Sequence, residues 1–464
     1  MGFSDEPVFL GSGVRFEPLV DRFPAEVLDV APVPASLRLA GRWAPMLESA
    51  LQDPAPPGAD PSGMEVGALL DAIKRDRADM LAFAAAVSDA DHLLRRHDDD
   101  GPAARPAGLP SMLDGLAELA RDDAGRPLLR FVEPVVYDSP VYDVARQSVR
   151  LTLGDADPRP GPRLPAPDAL DLAVPFAHPG LDALARARNT PTTAAQLCAA
   201  LGLDGAEPAR LGRLLTTAPP AARDRHLEHG ARARYLGHAC LMLQTSETTV
   251  LVDPSAGFDL AALPDRIDLV LLTHAHRDHT VLATLLQLRP RIGTVVAPRS
   301  SRGNRYDPSI GLCLRALGFA VVELDDYDEL PVPGGRVVAT PYLGEGSGPD
   351  VRAKSTYAIQ IAGASIFVGG DAGDPTPAGY RHLRRRLGPI HMAFLGMRCG
   401  TAADGPAGRD AELIRALDAD EVYVFATHAP RDPRLRTQVE QFLDWCRGHG
   451  ITAEQLVSGR TWRW

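Results

Sequence analysis

Apolar and polar positions follow different rules in the two halves of this chain. In the first half, residues 64–96 (MEVGALLDAIKRDRADMLAFAAAVSDADHLLRR) carry apolar side chains three and four positions apart, the spacing of one long amphipathic helix or two. Residues 112–121 predict a further short helix, and the Val- and Tyr-rich stretch 129–153 predicts strands or extended chain. Stretches rich in Pro and Gly at 55–63, 98–110 and 154–168 punctuate this region as loops. Residues 181–218 have a helix–turn–helix rhythm, with a capped turn beginning at Thr190–Pro191 and a helix ended by Gly202. No basic cluster accompanies them, so they read as a small helical connector rather than a DNA reader.

After about residue 231 short apolar runs alternate with turns. RYLGHACLMLQT, TTVLVD, IDLVLLTH, GTVVAP, AVVEL, RVVATPYL, TYAIQIAG, SIFVGGD, MAFLGM, EVYVFATH and EQLVS each read as a strand. Helical patterns fall at 280–288, 309–317, 376–387, 408–417 and 433–448. Two strand clusters, each followed by helices, predict two sheets face to face with helices outside. The expected division is an N-terminal mixed, mainly helical domain over 1–180, a connector over 181–230 and a metal-binding domain over 231–464.

Composition narrows the classes. The 464 residues are 45% hydrophobic and 23% charged, which is globular rather than disordered. A net charge of −11 argues against a broad nucleic-acid surface. Five cysteines, none in a CxxC pair, predict a reducing compartment, and with no signal-like N-terminus or long apolar run the expected location is the cytoplasm, away from membranes.

The chemistry concentrates in THAHRDHT at 273–280. Where the buried run IDLVLLT stops, His274, His276, Asp278 and His279 put four metal-competent side chains into six residues. So many ligands so close crowd one ion, and two adjacent ions are the natural reading. Asp371, after SIFVGG, has a carboxylate able to bridge two ions; its alternative is an ordinary turn Asp beside glycine. His428, after VYVFAT, is the other strand-end candidate, against a plain surface histidine.

The HxHxDH–GGD–ATH series resembles the metallo-β-lactamase fold over roughly 231–464, which implies an αβ/βα sandwich of α/β class with a dinuclear site at the sheet edges. Asp253 then falls at a turn or behind the ligands. Hydrolytic members usually carry a third histidine between the HxHxDH loop and the bridging Asp, and here no histidine lies between His279 and Asp371. Glu345, after the strand RVVATPYL, is the candidate for that seat, with Asp350 as fallback. The implied shell is His274, His276 and Glu345 on one ion, Asp278, His279 and His428 on the other, and Asp371 between them. An anionic donor in place of imidazole favours a higher oxidation state and suits iron or manganese better than zinc.

The Glu345 variant resembles the diiron β-hydroxylases of chloramphenicol biosynthesis. FEPLV at 16–20, FVEPVVYDSPVYDVARQSVRL at 131–151 and VPFAHPGLDALARAR at 174–188 extend the likeness upstream. The resemblance implies two Fe ions, O2 as co-substrate, and an external reductase or other electron donor. It also implies a homodimer that oxidises an amino-acid-derived small molecule or one tethered to a carrier protein, with Glu345 and Asp371 as the pair that tunes the redox chemistry. Two rivals stand beside it. One is a dinuclear zinc or manganese hydrolase of a lactone, phosphodiester or acyl compound; the other is a non-catalytic docking module. His238 in LGHA, Lys354 with Ser355, and Arg398 with Cys399 are further candidates near the site; core, solvated-loop and buried-thiol readings compete with each.

Overall fold

The computed structural model describes residues 6–25, 68, 71–72, 75–98, 109–121, 125, 127–154, 163–220, 226–255, 257–276, 278–300, 309–342, 354–371, 377–396, 414–425 and 433–464. The chain divides into two compact units. One holds residues 1–222, 281–290 and 300–318; the other holds 223–280, 291–299 and 319–464.

In the first unit the strands are β1 (Phe9–Leu10), β2 (Val14–Val20), β3 (Phe23–Pro24), β4 (Ala117–Arg121), β5 (Pro127–Phe131), β6 (Gln147–Leu153), β7 (Leu170–Leu172) and β8 (Leu215–Thr216). An antiparallel sheet runs β3-β2-β6-β7, and β4 pairs with β5. The helix Ala78–Asp98 buries Phe83, Val87, Ala90 and Leu94 against Leu113, Leu129, Phe131 and Val136. Those helix positions follow the three-and-four spacing of one face. The expected helix over 112–121 is instead a single 3-10 turn at Ser111–Leu113 followed by β4. Gly115, at φ +76, ends the turn, and the cross-strand ladder with β5 overrides the helical propensity of Leu, Ala and Glu. Three short helices occupy 179–212. Thr193, not Thr190, caps the middle one. Its Oγ1 accepts from Gln196 N at 3.2 Å while Gln196 Oε1 accepts from Thr193 N, and Gly202 closes the helix at φ +65.

The second unit holds β9 (Ala231–Gly237), β10 (Cys240–Thr245), β11 (Thr249–Val252), β12 (Ile267–Leu271), β13 (Ile292–Pro298), β14 (Val321–Leu324), β15 (Glu329–Val332), β16 (Gly335–Pro341), β17 (Ser355–Ile361), β18 (Ala364–Val368), β19 (Ile390–Gly396), β20 (Ala419–Phe425), β21 (Thr452–Gln455) and β22 (Thr461–Arg463). They form two seven-stranded sheets, ordered β14-β13-β12-β11-β10-β9-β22 and β15-β16-β17-β18-β19-β20-β21. Alternate residues divide the work, as a period of two requires. Leu241, Leu243, Val250, Val252, Leu269 and Leu271 meet Val337, Tyr357, Ile359, Ile366 and Phe394 in one core between the sheets. The opposite face of the second sheet, with Val338, Ala358, Phe367, Val422 and Val424, packs on Leu383, Leu387, Val439 and Phe442 from the helices Pro377–Leu387 and Pro433–Gly448. This is the sandwich of two sheets with helices outside that the strand pattern predicts. Among the described residues, no helix is long and apolar enough to cross a membrane.

Candidate metal centre

The site is assembled at strand ends. Parallel pairing of β11 with β12, Val252 beside Leu271, brings Asp253 next to Thr273 although they are twenty positions apart in sequence. Asp253 is wholly buried at φ +41, and its carboxylate is fully used. Oδ1 accepts from Thr273 N at 2.8 Å; Oδ2 accepts from Thr273 Oγ1 at 2.6 Å and from His279 Nδ1 at 2.8 Å. Because Thr273 Oγ1 gives its proton to Asp253, it must accept from His274 Nδ1, 2.9 Å away. One carboxylate therefore anchors two imidazoles by Nδ1, His279 directly and His274 through Thr273.

The consequence is visible at the other ring nitrogens. His274 Nε2 and His279 Nε2 are buried and have no hydrogen-bond partner. Two buried ring nitrogens without a partner are costly unless something binds there, and a metal ion fits that need. Asp371 Oδ2 lies 3.4 Å from His279 Nε2 and 3.9 Å from His274 Nε2, so its carboxylate stands where a bridge would. Gly370 delivers it: at φ +53 it takes a left-handed turn, and a Cβ there would lie 3.1 Å from Thr273 Oγ1.

The potential ligands fall into two groups. His274, His276 and Asp371 form one; His238, Asp278 and His279 form the other, and each could hold a metal ion. The rings of His274 and His276 are 4.3 Å apart, and those of His274 and His279 are 4.2 Å apart. The loop is tied down from the other sheet: Tyr357 Oη donates to Leu272 O at 2.7 Å and Ser355 N donates to Thr273 O at 2.8 Å. Thr280 Oγ1 closes the turn onto His274 O at 2.7 Å. Lys354 pairs its backbone with that of His274, and its Nζ sits 5.3 Å over the Tyr342 ring, which itself lies 5.8 Å from the His274 ring.

Charge follows geometry. Burial, then the neighbouring His279 and His276, press the pKa of His274 well below the ordinary imidazole range and keep it neutral, as a ligand must be. Burial acts the same way on His279, but the carboxylates of Asp253 and Asp371 outweigh it and raise that ring to about 10. The hydrogen bond from His238 holds the Asp278 carboxyl far below its usual range.

Sequence reading named His274, His276, Asp278, His279 and Asp371, and the fold brings them together. Glu345, Asp350, Arg398, Cys399 and His428 lie outside the described residues. His238 joins the site more directly than its sequence context suggested. Its Nε2 lies 3.0 Å from Asp278 Oδ2, and the sequence offered it only as a residue of LGHA on the opening strand, facing the metals or buried in the core.

Comparisons with known proteins identify the family. A family model described as the diiron non-heme beta-hydroxylase N-terminal domain matches residues 9–219, and one for the beta-lactamase superfamily domain matches 232–385. The 4-amino-L-phenylalanyl-[CmlP-peptidyl-carrier-protein] 3-hydroxylase of Streptomyces venezuelae is 34% identical over 401 residues, covering 76% of this chain and 75% of its own. The chain belongs to the diiron non-heme β-hydroxylase family. It is accordingly an enzyme, an oxidoreductase of the diiron hydroxylase class, built on the metallo-β-lactamase fold. The crystal structure of CmlA, a diiron β-hydroxylase from Streptomyces venezuelae, superposes with a TM-score of 0.81 at 28% identity, over 99% of this chain and all of that one. A metal-dependent hydrolase of Methanoculleus marisnigri shares 30% identity over 217 residues, but that covers only 46% of this chain. For a β-hydroxylase of this family iron is the metal in question, and the paired nitrogen and oxygen donors suit it.

Proposed function

We propose that this diiron hydroxylase inserts one atom of O2 into the β-C–H bond of an amino acid tethered to a carrier protein. The observation that carries the reading is the span of the likeness. The Streptomyces relative, named as a 3-hydroxylase of a carrier-bound aminoacyl group, aligns over 76% of this chain, far beyond the metal-binding domain shared with hydrolases.

Two irons, when bound, supply the reduction of O2 that a chain of ordinary side chains cannot perform. His274, His276 and Glu345 would hold one, Asp278, His279 and His428 the other, with Asp371 between them. Asp253 and Thr273 hold both rings by Nδ1 and aim the Nε2 atoms at the place an ion would occupy. The burial of His274 and His279 keeps bulk water from those nitrogens. Glu345, Asp371 and Asp278 give the centre three carboxylates, which lower the cost of a ferric charge. For balance, one oxygen atom becomes the substrate hydroxyl and the other leaves as water, and an external reductase or equivalent donor supplies two electrons with two protons. Cys198, Cys240, Cys313 and Cys446 are buried thiols rather than disulfides, in keeping with a reducing, cytoplasmic setting. A homodimer completes the reading.

The test is turnover of a panel of aminoacyl-loaded carrier proteins by iron-reconstituted enzyme with a chemical reductant and isotopically labelled O2. The expected product carries one labelled oxygen on the amino acid. Anaerobic cleavage of the thioester by zinc-loaded protein, with no labelled product under O2, would establish the hydrolase instead.

A further inference from the structure

We propose that His238 is a positioning residue of the metal centre, which holds the Asp278 carboxylate in its ligating orientation. The inference rests on the diiron reading above and adds a residue that the ligand motif does not contain.

His238 and Ala239 form the turn between β9 and β10, where Gly237 pairs with Cys240. Gly237 takes φ +131 and His238 takes φ +51. Glycine would adopt that left-handed conformation without strain, whereas a side chain there costs about 1 kcal/mol. The surroundings hold it in place. Tyr235 Oη donates to His238 O at 2.6 Å, and the His238 ring stands edge-on to His279 at 5.2 Å. The imidazole is 18% exposed, and its Nε2 reaches Asp278 Oδ2 at 3.0 Å.

Asp278 needs such a partner more than the histidines do. Its side chain is 41% exposed, so water competes for both oxygens, whereas His274 and His279 are locked by buried bonds to Thr273 and Asp253. A donor on Oδ2 restricts the carboxylate to one orientation and leaves Oδ1 unengaged by His238. The arrangement parallels, for a carboxylate ligand, what Asp253 does for the imidazoles: an outer partner sets the direction of the donor atom.

The experiment compares the wild type with His238→Gly, which removes the side chain without backbone strain, and His238→Gln, which restores an N–H donor. Metal-free protein is titrated anaerobically with ferrous iron, and the iron-57-loaded forms are compared by Mössbauer spectroscopy. A wild type that binds no iron pair sinks the diiron reading itself before any variant is compared. Given the pair, His238→Gly is expected to weaken one binding step about 10–100-fold and leave the other unchanged. One iron subspectrum should shift with it, and His238→Gln should recover most of both effects. Unchanged binding and spectra in His238→Gly would reduce His238 to a turn residue. Failure of His238→Gln to recover anything, in a protein that melts like the wild type, would make His238 a ligand rather than a positioner. Either result overturns the proposal.

Discussion

Asp253 Oδ2 accepts the Nδ1 proton of His279 at 2.8 Å, with both side chains at 0% exposure. No water competes for this bond, so it sets the ring's tautomer and aims Nε2 toward Asp371. Replacing Asp253 by Asn keeps the shape but removes the charge, and one amide cannot accept all three protons the carboxylate receives. Iron affinity should fall about 10–100-fold, and the metal-free protein should lose about 3–5 kcal/mol of stability, because a buried pair is broken from one side. Anaerobic iron titration and urea unfolding measure the two effects separately.

The same contact predicts a pH dependence. In the metal-free protein His279 holds its proton up to about pH 10, above the ordinary 6.5. Its contribution to stability is therefore complete below 6.5 and is lost as pH rises through about 10. Iron must displace that proton from Nε2, so uptake should release a proton and grow tighter as pH climbs toward 10. Iron titrations at several pH values in weak buffer with an indicator dye read both quantities; affinity that falls with rising pH would contradict the expectation.

Gly370→Ala tests how Asp371 is delivered. The new Cβ would sit 3.1–3.2 Å from the Thr273 side chain, in a left-handed conformation. We expect about 1–2 kcal/mol of destabilisation from strain, together with loss of bound iron as Asp371 and Thr273 move apart. Thermal unfolding of the metal-free form and iron analysis would show the two effects together.

Tyr357→Phe should separate scaffold from chemistry. It removes the hydroxyl that donates to Leu272 O at 2.7 Å and leaves a buried carbonyl without that donor. The cost should be about 1–3 kcal/mol, read by urea unfolding, while the ligand atoms, all on other residues, still bind iron.

Glu345→His addresses the charge of the proposed shell. Exchanging an anionic oxygen donor for imidazole should move metal preference toward zinc. Competition between ferrous iron and zinc, scored by metal analysis of wild type and variant, would show no change if Glu345 is not a ligand.

Much of this centre was legible in the sequence because metal ligation is local. HxHxDH crowds its donors onto one loop, and an apolar run that ends in polar residues announces a strand end, as at Asp371. Short apolar runs between turns likewise announced two sheets face to face. The segment 112–121 misled because its Ala, Leu and Glu favour helix in isolation, and only pairing with β5 made it a strand. Partners behind the ligands were legible only as alternatives, Asp253 against a plain turn residue and His238 against a core histidine, since neither belongs to the motif. Parallel registration of β11 with β12 placed Asp253 beneath two histidines, and the β9–β10 turn placed His238 against Asp278. The sequence by itself determined which atoms can bind metal. The tertiary structure decided how they are aimed, because a hydrogen bond between residues distant in the chain exists only once the sheets have set their register.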